Sequence, residues 1–84
     1  MKENTTIIKE NELYKKIGKN IKYYRRLYSI NIEEMTQEKL AKKINASTSL
    51  IGNLESSKIV QGISLYNLYK ISIVLKVKID KFFE

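Results

Sequence analysis

Apolar residues recur at helical spacing along most of the chain, and short polar breaks divide them into segments. Before residue 30 they share one helix face at five positions: Leu13, Ile17, Ile21, Tyr24 and Tyr28. After residue 64 a similar series follows: Leu65, Leu68, Ile71, Val74 and Leu75. Each long segment has a period near 3.6 residues, and proline is absent. The pattern therefore predicts an all-α fold.

Two shorter periodic segments lie in the middle of the chain. Their apolar residues repeat one spacing: Leu40, Ala41 and Ile44, then Leu50, Ile51 and Leu54. The break between them contains Asn45, a residue that tolerates the left-handed conformation at a helix end. Thr36 and Ser47 precede the two segments, where a side-chain oxygen can cap the first amides. Two short helices joined by a three-residue turn form a helix-turn-helix.

These segments predict a compact five-helix bundle preceded by a flexible arm over residues 1–10, with the domain itself covering residues 11–84. The expected helices span residues 11–28, 37–44, 48–55, 65–75 and 79–83, with Asn11 and Ser64 as caps of the first and fourth. Residues 29–35 form either a loop or one more turn of helix 1. In that segment we expect Ile30 and Ile32 to contact the core and Met35 to pack beneath helix 2.

Composition excludes several classes of function. The chain of 84 residues supports one small domain and contains neither cysteine nor histidine. Without cysteine the chain has no disulfide framework and no cysteine-based metal site. Without histidine it lacks the commonest general base and the commonest transition-metal ligand. No Gly-rich phosphate loop occurs either. We expect no catalytic activity, metal or cofactor. Without an apolar run of about 20 residues or a signal peptide, a cytoplasmic protein is expected.

The net charge of +7 fits a polyanionic partner, but it is unevenly distributed. Residues 1–28 carry eight Lys or Arg against three acids, and residues 59–84 carry four against two. Residues 29–58 carry four of each and are neutral. If the protein binds DNA, the segments outside the helix-turn-helix must therefore supply much of the electrostatic attraction.

The outward face of the predicted third helix holds Thr48, Ser49, Gly52 and Asn53. Small polar residues there suit a helix that lies deep in the major groove, and these four are the candidate base-reading residues. Gly52 costs helix stability, which a close approach of the backbone to DNA explains. The candidate phosphate-binding residues flank this helix: Gln37, Ser57, Lys58 and Tyr66.

The stretch TQEKLAKKINASTSLIGNLES, residues 36–56, resembles the helix-turn-helix of the lambda-repressor-like, Cro/cI (XRE) family of DNA-binding domains. Around it, Ile17-Gly18, Ile21 and Arg25 resemble the first helix of that family, and residues 64–83 resemble its last two. Asn45 stands where that family usually has Gly. The gap between Arg25 and Thr36 is about five residues longer than usual.

The resemblance implies a transcriptional regulator, in particular a repressor, that binds a palindromic operator on double-stranded DNA as a homodimer. It also implies an ion pair between Arg25 and Glu55 that braces helix 3 against helix 1. Phe82 and Phe83 are the candidate dimer contacts, and we expect one of the two rings to complete the core instead.

Two other functions remain open. The chain is alternatively an antitoxin or other protein-interaction module whose DNA binding is autoregulatory. A third possibility is membrane-surface binding by the basic, Tyr-rich helix 1, but the bundle needs the apolar stripe of that helix for its core.

Overall fold

The longest element of the computed structural model, which describes residues 6–84, is helix α1, Glu10–Asn31. It begins earlier than predicted: Lys9, not Asn11, is the N-cap and makes no side-chain capping bond. Glu10 and Glu12 lie in the first turn, where carboxylates complement the helix dipole. Of the predicted arm, residues 1–5 lie outside the described part of the chain, and residues 6–9 are irregular and exposed.

At its other end α1 takes the extra turn that the sequence left open. Ser29 then fixes the loop, because its hydroxyl accepts from the Met35 amide at 2.8 Å. The Met35 side chain is fully buried, as expected, but Ile30 and Ile32 are 79% and 54% exposed. The expectation that these two contact the core was wrong, since the added helical turn directs Ile30 outward and Met35 anchors the loop.

The helix-turn-helix consists of α2, Gln37–Lys43, and α3, Thr48–Glu55. Thr36 and Ser47 cap them as predicted, accepting from the amides three residues later at 3.0 and 3.1 Å. Asn45 has a φ of 57°, and the Ala46 amide donates to the Ala41 carbonyl at 2.9 Å. This is a Schellman ending in which Asn replaces the usual Gly.

Helix α4, Leu65–Leu75, is capped by Ser64 as predicted and ends at Lys76 in the left-handed region. The predicted fifth α-helix is instead a 3-10 helix, Ile79–Phe83. Its Lys81 amide donates to the carbonyl of Lys78, three residues earlier, as such a short segment favours. The Asn20 side chain donates to the Phe82 carbonyl at 2.8 Å and ties this last turn to α1.

One apolar core joins all five elements, and residues 6–84 contain no strand. Its side chains are almost entirely removed from water: Ile17, Ile21, Met35, Leu40, Ala41, Ile44, Ile51, Leu54, Leu68, Ile71, Leu75 and Phe82. The fold is thus the compact all-α bundle that the pattern predicted, with α3 packed on both α1 and α2. That packing decides which face of α3 is left for a ligand.

Candidate nucleic-acid interface

Helix α3 has one buried face and one polar face. Ile51 is fully buried and Leu54 is only 4% exposed, so the apolar face is used by the core. Thr48 and Ser49 are exposed at the start of the helix, and Asn53 is half-buried. The surface between them is shallow because the intervening position, Gly52, has no side chain.

A buried carboxylate joins three helices behind this polar face. The Arg25 guanidinium donates from Nε and Nη2 to the two carboxylate oxygens of Glu55, both at 2.7 Å. Gln37 Nε2 donates to Oε1 of the same carboxylate at 3.0 Å. Side-chain exposure is only 2% for Glu55 and 12% for Arg25. Such a bidentate, charge-assisted pair fixes the orientation of both helices more strictly than apolar contact does.

The same arginine also holds the segment before α2, because its Nη1 donates to the Met35 carbonyl at 2.9 Å. Gln37 lies alongside α3: a Cβ built on Gly52 would be 3.5 Å from Gln37 Oε1. The Gln37 side chain is therefore directed toward α3, with one amide hydrogen already used by Glu55.

Asn53, the largest polar side chain on the outward face, is in contact with the loop after α3. Its Nδ2 donates to Oε1 of Gln61 at 3.3 Å, and Gln61 Nε2 donates to the Gly62 carbonyl at 2.9 Å. Sequence reasoning missed Gln61, because a loop residue has no periodic signal. The structure therefore places a second carboxamide beside the candidate base-reading residues.

A lysine cleft adjoins the end of α3. It is a cavity of about 340 Å³ between α1 and the α3–α4 loop, lined by Lys15, Lys19, Lys22, Ser56 and Ser57 together with Leu54 and Glu55. The three lysines share one face of α1 and meet the loop that carries the candidate phosphate ligands Ser57 and Lys58. The sequence showed a basic helix but not which lysines would meet that loop.

Tyr66 is exposed on the first turn of α4, with the Lys70 ammonium 4.7 Å from its ring centroid. Lys70 also donates to the Ile44 carbonyl at the end of α2, where a cation complements the helix dipole. The Tyr66 ring therefore lies near the turn of the helix-turn-helix, whereas Lys58 lies in the loop beyond α3.

The two C-terminal phenylalanines have different surroundings. Phe82 is fully buried and makes an edge-to-face contact with Tyr24, with ring centroids 5.8 Å apart. Its ring is therefore part of the protomer's core and is not available to a second copy. Phe83 is 43% exposed. Of the candidate dimer contacts, only Phe83 remains at the surface.

No group of three or more acidic side chains between residues 6 and 84 is arranged to hold a metal ion. Within the same range, no helix has the length and apolar character needed to cross a membrane.

Comparison with known protein families identifies the arrangement. The model of a family described as Helix-turn-helix (HTH_3) matches residues 33–82, which is more than half of the chain. The chain belongs to this helix-turn-helix family. No curated protein matches the sequence.

The family is that of Cro/cI-type DNA-binding domains, so the resemblance seen in residues 36–56 is confirmed. The function of this helix-turn-helix protein is DNA binding of the kind found in transcriptional regulators. The matched range begins at Glu33 and ends at Phe82, so it contains α2, α3, α4 and all but the last residue of the 3-10 helix, but not α1.

Proposed function

We propose that the protein is a sequence-specific transcriptional repressor that reads the major groove of double-stranded DNA with α3. The observation that carries this proposal is the division of α3 into a buried apolar face and a shallow polar face. Thr48, Ser49, Gly52 and Asn53 occupy the polar face, and a helix with such a surface fits between the walls of the groove.

The network around Glu55 supports this role. Base readout needs donors and acceptors held at fixed positions, and the bidentate pair with Arg25 restrains α3 relative to α1. Gln37 connects the start of α2 to the same carboxylate. Three helices thus approach the DNA as one rigid unit.

The lysine cleft supplies the electrostatic attraction that the neutral helix-turn-helix lacks. Ser57 and Lys58 contact one phosphate in this proposal, and the cleft lysines extend the contact along the backbone to α1. Gln37 and Tyr66 contact phosphates on the other side of α3. Asn53 pairs with adenine, whose N6 and N7 suit a carboxamide.

The protein binds as a homodimer on a palindromic operator in this proposal. Phe83 and the exposed apolar residues of α4, among them Leu65, Tyr69 and Ile73, are the available contact surface. Self-association in free solution is weak, and DNA completes it by holding two protomers about one helical turn apart.

Selection from random duplex DNA tests the proposal directly. The wild-type protein is expected to enrich a two-fold symmetric site, and that site placed across a promoter is expected to lower reporter expression. A double variant, Thr48→Ala with Asn53→Ala, serves as the control. It should not enrich the site that the wild-type protein enriches. Enrichment of no sequence by the wild-type protein would overturn specific readout. If the symmetric site raised reporter expression, the repressor role would be wrong, but sequence-specific binding would stand.

A further inference from the structure

A groove on the side of the molecule formed by α1 and the end of α4 has no role in the proposed DNA contact. It has a volume of about 440 Å³, within the range of ligand-binding clefts in proteins. Its apolar lining comes from Leu27, Tyr28 and Ile32 on one side and Leu75 and Val77 on the other. No residue of α2 or α3 lines it, so an occupant would leave the helix-turn-helix uncovered.

Two of the aliphatic side chains that line the groove, and one next to them in the chain, are exposed. Ile30 is 79% exposed, Ile32 is 54% exposed and Leu27 is 37% exposed. All three lie at the end of α1, which precedes the range matched by the family model. The end of α1 thus contributes exposed apolar surface next to the groove, and exposed apolar patches of this kind mark interaction sites.

Positive charge borders one side of the apolar lining. Lys76, Lys78 and Lys81 all border the groove, and no carboxylate does. Glu84 lies 3.6 Å from the Lys81 ammonium, but both side chains are largely exposed, so water screens this pair. A ligand that fits must combine apolar groups with negative charge.

Lys76, one of these three lysines, has an unusual backbone conformation. Lys76 ends α4 with a φ of 58°, and the Val77 amide donates to the Ser72 carbonyl at 3.0 Å. Gly is the usual residue in this Schellman position because it has no Cβ to crowd the backbone. In this chain the position is a lysine, which adds a cation to the edge of the groove.

We propose that this groove binds an acidic amphipathic segment of a partner protein. Apolar side chains of the segment enter between α1 and the end of α4, and its carboxylates meet the three lysines. A second copy of the chain is a poor occupant, because a two-fold contact would bring the same lysines face to face. A lipid surface is also a poor fit, since the apolar lining is concave.

Peptide selection against the full-length chain tests this, using a displayed library of random 16-residue peptides. Enriched peptides should combine apolar residues with Asp or Glu, and one of them, labelled with fluorescein, serves as the probe for anisotropy. Leu27→Asp should weaken its binding at least tenfold. The matched control is Val60→Asp, which puts the same charge on an exposed aliphatic residue of the α3–α4 loop outside the groove, and it should change binding less than twofold.

Further variants separate the contributions of charge and fold. Lys81→Gln should weaken peptide binding several-fold. Lys42→Gln, which removes a charge from the exposed surface of α2, should leave peptide binding unchanged. Thermal unfolding shows whether the Leu27→Asp variant is folded. If it is not, Ile32→Asp tests the apolar contribution to peptide binding instead. The peptide-bound protein should retain its affinity for duplex DNA within twofold, so this inference stands or falls separately from the proposed function.

Each other outcome would overturn the proposal. These outcomes are the enrichment of no peptide, of uncharged or basic peptides, or equal weakening by Leu27→Asp and Val60→Asp. Sedimentation that showed Leu27→Asp dissociating a dimer would assign the groove to a second copy. Binding only to phosphatidylglycerol vesicles would assign it to a lipid surface.

Discussion

The backbone of Gly18 in α1 lies directly against the carbonyl oxygen of Leu54 in α3. A Cβ built on Gly18 would be 1.8 Å from that oxygen, so any side chain there must push the two helices apart. We expect Gly18→Ala to lower the free energy of unfolding by about 1–3 kcal/mol, although Ala is intrinsically the better helix former. Urea unfolding measures this, and an unchanged midpoint would contradict the close approach.

Gly52 has open space where Gly18 has none. A Cβ added at Gly52 would meet only Gln37 Oε1, at the ordinary distance of 3.5 Å. We therefore expect Gly52→Ala to raise the free energy of unfolding by about 0.5–1 kcal/mol. The same variant should bind the selected operator more weakly, because the added methyl group points toward DNA. Unchanged operator affinity would show that the α3 backbone does not approach DNA at this residue.

The pair between Arg25 and Glu55 should show strong energetic coupling. A double-mutant cycle with Arg25→Met and Glu55→Gln is expected to give a coupling energy of about 1–3 kcal/mol in urea unfolding. The coupling should be stabilising, because each single variant leaves a buried polar group without its partner. The exposed pair Lys81–Glu84, tested in the same way, is the control and should couple by less than about 1 kcal/mol. Coupling near zero for Arg25 and Glu55 would mean that the pair does not brace α3.

Loss of Asn53 and loss of Lys58 should differ in kind. Asn53→Ala is expected to cost about 1–3 kcal/mol on the selected site and to abolish discrimination at one base pair. Lys58→Ala should weaken binding to all sequences alike and reduce the salt slope by about one. Fluorescence anisotropy on cognate and random duplexes distinguishes the two. Equal weakening on both duplexes by Asn53→Ala would show that α3 is not the reading element.

The lysine cleft should contribute most of the salt dependence. Replacing Lys15, Lys19 and Lys22 together by Gln is expected to reduce the magnitude of the salt slope by about two to three on any duplex. A triple Gln variant at Lys76, Lys78 and Lys81 removes the same charge from residues outside the cleft and should leave the slope nearly unchanged. Equal changes in the two variants would show that net charge, not the cleft, attracts DNA.

Much of the fold was predictable because local signals agree with the tertiary packing. Thr36, Ser47 and Ser64 are caps at residues where the apolar period changes, and all three make the expected bond. The start of α1 was not predictable in this way, since Lys9 makes no side-chain cap. Nor did a periodic pattern reveal that the last segment is a 3-10 helix, because five residues are too few to separate the two periods.

The candidate site was predictable where it depends on helix faces and not where it depends on loops. The outward position of Thr48 and Ser49 follows from the buried position of Ile51. The contact between Asn53 and Gln61 depends on the path of the chain after α3, which no spacing encodes. The groove beside Leu27 depends on the extra turn of α1, for which the sequence offered two alternatives.

The hydrogen bond between Asn53 and Gln61 bears on how strictly an operator is recognised. A side chain that reads a base usually enforces its choice because a wrong base leaves it buried without a partner. Here the Asn53 carboxamide has an acceptor within the protein, at 3.3 Å, to which it can return when the base does not match. If Asn53 reads a base as proposed, a mismatch at that base pair costs less than it would for a carboxamide with no other partner, although the matching base is still preferred. In the proposed complex, the loop residue Gln61 thus helps to determine how strictly the operator sequence is recognised.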